Sequence, residues 1–219
     1  MQRAITLLTL ALLFAASLYP QAPLGQGQVL ILAGPPGSGK TLQATRLSRK
    51  YKIPSISTAS VLNDSLQRHG SVPAHLKPSV AAGELLDDRA AIDLIGARIN
   101  KPDAAHGFIL DGYPSTEAQA KFLDQFLIAH KLGRPIVIVL RAPEAVLRER
   151  LRKRNRADDT PENIDRRLRE LYREQELLER WYESQNMVAV DATAAPDPVF
   201  ARVEAGIEEI YSRRALKTR

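Results

Sequence analysis

The chain of 219 residues contains no cysteine, which excludes disulfides and thiol chemistry and leaves the redox compartment unread. Aromatic residues make up only 5%, and nowhere are they interleaved with basic residues. There is no zinc-ligand spacing and no RNA-recognition signature. The formal net charge is +6, so anionic partners are favoured, but without those signatures nucleic acid is not an expected one; nucleotides satisfy the charge equally well. No internal repeat or low-complexity segment interrupts the chain. Hydrophobic content of 44% and charged content of 26% fit a globular protein with a sizeable core, and the length fits one domain or one domain with small inserts.

The apolar run Ala4 to Leu18, preceded by Arg3, is too short to span a bilayer comfortably. Ala15 and Ser17 stand at the −3 and −1 positions of a cleavage site, and Tyr19 to Gln28 is a polar stretch with proline, glycine and glutamine. Residues 1–28 therefore read first as a secretory signal peptide with a short linker. An uncleaved membrane anchor and a mis-assigned start are the alternatives; a later start would need a non-ATG codon, since the only other methionine is Met187. Membrane contact is expected only through residues 4–18.

From Val29 onward, apolar runs of strand length alternate with longer segments of helical period. The expected strands are Val29–Ala33, Pro54–Ser57, Phe108–Asp111, Ile136–Leu140 and Met187–Asp191. Their near-continuous Val/Ile/Leu character fits strands buried on both faces. Leu42–Tyr51 places Ala44, Leu47 and Tyr51 on one helix face, and Pro161–Ser184 carries a stripe of Ile164, Leu168, Leu171, Leu178 and Trp181. Pro161 suits a helix first turn, with Asp159 and Thr160 as candidate caps. The alternation predicts an α/β fold with a parallel sheet.

The first strand runs directly into Gly34-Pro35-Pro36-Gly37-Ser38-Gly39-Lys40-Thr41. This octet fits the phosphate-loop pattern G-x-x-x-x-G-K-[ST] at every fixed position. Gly37 and Gly39 let successive backbone N–H groups face inward around a polyphosphate. Lys40 brings a mobile positive charge to the β- and γ-phosphates, Thr41 a hydroxyl suited to Mg²⁺, and the following helix its positive dipole end. A triphosphate site is the reading; the loop by itself names no reaction.

Other motifs follow in order: Ile56-Ser57-Thr58, then Gly83-Glu84-Leu85-Leu86-Asp87-Asp88, then Asp111-Gly112-Tyr113-Pro114 with Gln119 beyond it. Arg150 and Arg154 form R-x-x-x-R, Arg156-Ala157-Asp158-Asp159 forms R-x-D-D, and Arg167 follows a segment starting at Glu162. Together with the loop, these resemble adenylate kinase and its nucleoside-monophosphate kinase relatives from Val29 to the C-terminus. The resemblance implies a phosphate-loop NTPase-type three-layer α/β/α fold with a five-stranded parallel sheet, in one kinase domain, 29–219. A small helical monophosphate-binding insert would occupy about 58–88 and a vestigial lid about 154–157. It implies a monomer, a cytoplasmic place at odds with the N-terminal segment, and Mg²⁺-dependent transfer from ATP to a nucleoside monophosphate, AMP first. In that reading the ATP site comprises Gly34, Pro35, Pro36, Gly37, Ser38, Gly39, Lys40 and Thr41, with Arg150 at the base and Arg154 at the outer phosphates. Lys40, Arg154, Arg156 and Arg167 stabilise the phosphoryl group in flight. Thr58, Glu84, Leu85, Leu86, Gly112, Gln119, Arg156 and Arg167 line the acceptor side, Gln119 reading the base edge, and Asp111 holds Mg²⁺ through water. Arg148, Arg152 and Arg166 read as solvated surface.

Three departures matter. Asn63 and Ser115 stand where the family has arginines of the acceptor-phosphate clamp, and neither replaces a bidentate guanidinium. The lid is reduced to Asn155 between Arg154 and Arg156, which predicts poorer exclusion of water. Two rival readings follow: an ATP-binding or slowly hydrolysing protein that has lost transfer, and a kinase for another small acceptor. In the loop, Lys40-Thr41-Leu42 replaces the family's Lys-Gly-Thr, a change expected to leave ATP–Mg²⁺ binding intact.

Overall fold

The computed structural model describes residues 28–69, 86–154, 160–182 and 186–217. In chain order these form β1 (Gln28–Ala33), α1 (Lys40–Tyr51), β2 (Ser55–Ile56), α2 (Thr58–His69), α3 (Asp88–Ile99), a 3-10 turn (Pro102–Ala104), β3 (Gly107–Asp111), α4 (Glu117–Ala129), β4 (Ile136–Arg141), α5 (Glu144–Arg154), α6 (Pro161–Trp181), β5 (Met187–Asp191) and α7 (Pro196–Lys217). The five strands make one sheet in the order β2-β3-β1-β4-β5, and every recorded pairing is parallel.

The pleat sorts β1 into two cores. Val29, Ile31 and Ala33 face one layer, with Phe108, Leu110, Val137 and Val139 from neighbouring strands and Ile95, Leu123 and Leu178 from α3, α4 and α6. Leu30 and Leu32 face the other, with Ile109, Ile138 and Leu140, against Ala44 and Leu47 of α1 and Val203, Ile207 and Ile210 of α7. Helices thus cover both faces, the three-layer arrangement that continuous apolar strands require. Each fully buried Leu or Ile contributes roughly 1.5–3 kcal/mol, and β1 alone sits with five such side chains, Val29 to Ala33, at 0–1% exposure.

The expected elements sit close to their predicted places, with three differences. β2 is only Ser55–Ile56 rather than Pro54–Ser57: Pro54 has no N–H to give a ladder, and its carbonyl instead accepts from Ile109. α6 ends at Trp181, three residues before Ser184, where Tyr182 turns extended. Tyr51, placed on the buried face of α1, is only half-buried there beside Ala44 and Leu47. Thr160 caps α6, accepting from the Asn163 N–H at 3.3 Å, while Asp159 lies outside the described residues. Arg148, read as solvated, bridges α5 to α6 through Glu144 and Asp165 at 2.6 and 2.5 Å. Leu147 and Leu151 pack on Ile164 and Leu168 beneath that bridge.

The chain leaves β1 toward β2 and β3 on one side and later returns with β4 on the other. In open parallel sheets a crevice opens at such a reversal, beyond the carboxyl ends of the strands. The loop after β1 stands there. Among the described residues no helix is long and apolar enough to cross a membrane; residues 1–27, including the apolar run, lie outside them.

Candidate active site

The loop after β1 turns where its glycines permit. Gly37 and Gly39 have φ of 83° and 92°, a region costly for residues with a Cβ. A Cβ on Gly37 would also stand 3.0 Å from the Leu147 carbonyl of α5, so this glycine also lets α5 approach the loop. Ser38 N–H donates to the Pro35 carbonyl at 3.0 Å, closing the turn. Gly39 then serves as the N-cap of α1 without any capping side chain. The first-turn N–H groups of α1 are accordingly left to an external acceptor, at the positive end of a twelve-residue helix.

Two side chains complete this end. The Lys40 ammonium donates to the Gly34 carbonyl and, at 3.4 Å, to that of Pro35, which holds the cation over its own loop. The Thr41 hydroxyl donates to Asp111 Oδ2 at 2.7 Å, joining residues 70 positions apart. Asp111 ends β3, the strand beside β1, so the parallel register itself brings the acid to the loop. These are two hard oxygen donors of the kind Mg²⁺ takes, at the mouth of the phosphate loop. The Ser38 hydroxyl is buried with no partner among the described residues, a polar atom that a phosphate oxygen would satisfy.

Arg150 projects from α5 into a bracket of carbonyls. It donates to Ala192 at 2.8 Å, Thr193 at 2.8 Å, Ala194 at 3.2 Å and Gly37 at 3.4 Å. One guanidinium thereby ties the segment after β5 to the phosphate loop. Asp191, at the end of β5, accepts from the Thr193 hydroxyl and backbone N–H, which with Arg202 hold its carboxyl below the usual carboxylate range. Sequence reasoning gave Arg150 a role but missed residues 192–194. They carry backbone carbonyls only, which no side-chain motif announces. Arg154, one helical turn on, is exposed at the end of α5.

The acceptor-side residues are more scattered. Thr58 opens α2 and is half-buried. Leu86 packs beside Ala90, Leu94, Val61 and Leu62 in a small core. Gly112, at φ 73°, donates to the Leu32 carbonyl at 3.2 Å and so sits against β1. Glu84, Leu85 and Arg156 lie outside the described residues, and Arg167 lies on α6 with only its backbone described. Asn63 is exposed on α2.

Gln119 is 3% exposed and engaged on both ends of its amide. Its Oε1 accepts from Ser115 N–H at 2.8 Å and Ser115 Oγ at 3.1 Å. Its Nε2 donates to Asp88 Oδ1 at 2.9 Å. The same oxygen accepts from Thr116 Oγ1 at 2.7 Å, while Thr116 caps α4 by accepting from Gln119 N–H at 3.3 Å. Behind this group Tyr113 is buried, and desolvation followed by the Asp88 charge pushes its hydroxyl pKa well up. Asp88 and Thr116 received no role from the sequence; Asp88 was visible only as the last residue of a quoted motif.

Comparison with known proteins places this geometry. The family model for adenylate kinase matches residues 32–187. The chain is 39% identical over 173 residues to the adenylate kinase of Mycobacterium bovis, covering 79% of this chain and 95% of the relative. The figures are the same for the adenylate kinase of Mycolicibacterium vanbaalenii and 37% over the same coverage for that of Mycobacterium leprae. With a phosphate loop, a strand-end acid and a five-stranded parallel sheet already in place, these matches make the chain a phosphotransferase that belongs to the adenylate kinase family.

Proposed function

We propose that this chain transfers the γ-phosphoryl group of Mg·ATP to a nucleoside monophosphate, AMP first, giving two molecules of ADP. An oxygen of the acceptor's phosphate forms the new bond to γ-phosphorus as the bond to the β,γ-bridging oxygen breaks. No covalent enzyme intermediate is needed, and the protein's task is positioning and charge stabilisation. The observation that carries this reading is the meeting of Lys40, Thr41 and Asp111 at the open N-terminus of α1.

In this reading the loop N–H groups from Gly37 to Thr41 cradle the phosphates of ATP, and Lys40 swings from its own carbonyls onto the outer phosphates. Arg150 braces the wall beside the ATP base. Arg154, Arg156 and Arg167 gather on the moving phosphoryl group, whose equatorial oxygens carry the developing charge. Thr41 and Asp111 hold the magnesium ion, Asp111 through water; the ion, when bound, bridges and neutralises the outer phosphate oxygens. Thr58, Leu86, Gly112 and Gln119 border the acceptor, with Glu84 and Leu85 from the insert. We infer further that residues 1–28 are a targeting segment apart from the kinase domain, a division supported by the family match beginning at Leu32.

The test is the purified full-length chain with Mg·ATP and a panel of nucleoside monophosphates, following diphosphate formation. Acceptor-dependent ADP with AMP supports the proposal. Tight ATP binding with only acceptor-independent hydrolysis would replace it by the second reading, an ATP-binding protein that has lost transfer, which Asn63 and Ser115 favour. For the N-terminal segment, fractionation and the sequence of the mature N-terminus decide; an intact Met1 in the cytosol would refute export.

A further inference from the structure

We propose that Asp88 and Ser115 are positioning residues for Gln119 and confine it to one donated hydrogen bond, so that acceptor selection rests on a bare ring nitrogen and not on an exocyclic amino group. The inference rests on the reading above, in which Gln119 faces the acceptor base.

The amide's orientation is fixed by its partners' chemistry. A backbone N–H can only donate, so the group facing Ser115 N–H at 2.8 Å is the carbonyl oxygen. An ionised carboxylate can only accept, so the group facing Asp88 at 2.9 Å is the NH₂. Reversing the amide would set NH₂ against N–H and oxygen against carboxylate, both buried, and lose every bond at once. Asp88 is held for this task. It is the first residue of α3, where the helix dipole favours its negative charge, and the Thr116 hydroxyl donates to the same oxygen at 2.7 Å.

Counting the remaining capacity gives the consequence. A carboxamide has two acceptor sites on oxygen and two N–H donors. Both acceptor sites are taken by Ser115, through its N–H and its hydroxyl at 3.1 Å. One N–H is taken by Asp88. What is left for a nucleobase is a single N–H. Its complement is an unprotonated ring nitrogen on the base-pairing edge, as in adenine or cytosine; guanine and uracil carry a hydrogen at that ring position. The amino group of adenine finds no acceptor on Gln119, so its removal is tolerated.

The experiment compares AMP with purine riboside 5′-monophosphate, which keeps the ring nitrogen and lacks the amino group. Calorimetric binding and kcat/KM are measured on the full chain and on Ser115→Ala, Asp88→Ala and Asp88→Asn. In the unaltered chain the two acceptors should agree within about 3-fold, less than the worth of one neutral hydrogen bond. Ser115→Ala keeps the backbone donor but frees one acceptor site, so AMP should gain about 3- to 10-fold over the purine analogue. Asp88→Ala should raise KM for AMP by about 10-fold with KM for ATP unmoved. Asp88→Asn, which can still accept from Nε2, should recover most of that loss. A preference for AMP of about 10-fold or more in the unaltered chain, the sign that the amino group is read, overturns the inference. So does an unmoved acceptor KM in Asp88→Ala. Binding without transfer refutes the kinase reading alone, because the binding ratios still decide this one; binding of neither monophosphate overturns both.

Discussion

The donor and acceptor halves of this site are built from different materials. On the donor side, the parts that would face a nucleotide are mostly backbone: the N–H groups after Gly37, the N-terminus of α1, and the wall at 192–194 that Arg150 gathers. On the acceptor side the polar side chains are spent on one another. Gln119, Asp88, Ser115 and Thr116 close a ring of hydrogen bonds, and the two positions where the family carries clamp arginines hold Asn63 and Ser115. Backbone geometry follows from a short run of glycines and survives changes elsewhere. A side-chain ring depends on residues 27 to 31 positions apart, and one substitution redirects it. Divergence in this chain has accordingly gathered where the site is made of side chains.

The largest expected effect tests the donor half. Lys40→Ala should lower kcat by about 100-fold or more, the usual cost of deleting one preorganised charge at a developing oxyanion, with the thermal midpoint unchanged. Steady-state ADP formation and a melting curve suffice. A loss below about 10-fold would mean that Lys40 stays on its loop carbonyls during turnover and that the donor half works through backbone alone.

The next effect tests the acceptor half. Asn63→Arg together with Ser115→Arg restores both clamp positions. Charge-assisted hydrogen bonds are worth about 1.5–3 kcal/mol each, so a gain of about 10- to 100-fold in acceptor KM is expected, with KM for ATP unmoved. Unchanged acceptor kinetics would show that the clamp has been rebuilt from other residues.

How far the sequence foretold each half follows the same division. The phosphate loop, the strand-end Asp111 and the five strands could be read because each is local: an octet, a four-residue turn, or an apolar run of fixed length. The Thr41–Asp111 contact was also foreseeable once both strands were placed side by side. What could not be read was the engagement of Gln119, since a motif gives a residue's address and not the partners that occupy its polar atoms. The carbonyls of 192–194 were invisible because any residue supplies one. β2 shrank and α6 stopped early for the same reason, tertiary contacts deciding ends that propensity leaves open.

A third prediction compares the two cores by pH. Burial is the first cause raising the tyrosine hydroxyls of both: Tyr113 and Tyr182 on the acceptor-side layer, Tyr51 and Tyr211 on the donor-side layer. Tyr51, also beside Glu204 and Glu208, is pushed up to about 12. A folded value above the unfolded one means the neutral form is favoured in the fold. The stability this contributes is fully present below about pH 10. It is lost as the pH rises through the folded values. Urea midpoints should therefore hold to about pH 10 and fall beyond it, and tyrosinate absorbance should rise with unfolding and not before it. Four tyrosines ionising near pH 10 in the folded chain would contradict their burial.

The smallest effect separates a cap that belongs to the site from one that does not. Thr116 and Thr160 both cap a helix by accepting an N–H at 3.3 Å, and losing a cap costs about 0.5–2 kcal/mol. Thr160 does nothing else recorded, and it is exposed. Thr116 also donates to Asp88 at 2.7 Å, so its removal takes a bond from the carboxylate that orients Gln119. Thr160→Ala should therefore lower stability by about 1 kcal/mol, roughly 2–4 °C in a chain of this size, and leave the kinetics alone. Thr116→Ala should cost a little more and should couple to Asp88→Ala in a double-mutant cycle by about 0.5 kcal/mol or more. Strict additivity there would make Thr116 an ordinary cap and leave Asp88 to hold Gln119 unaided.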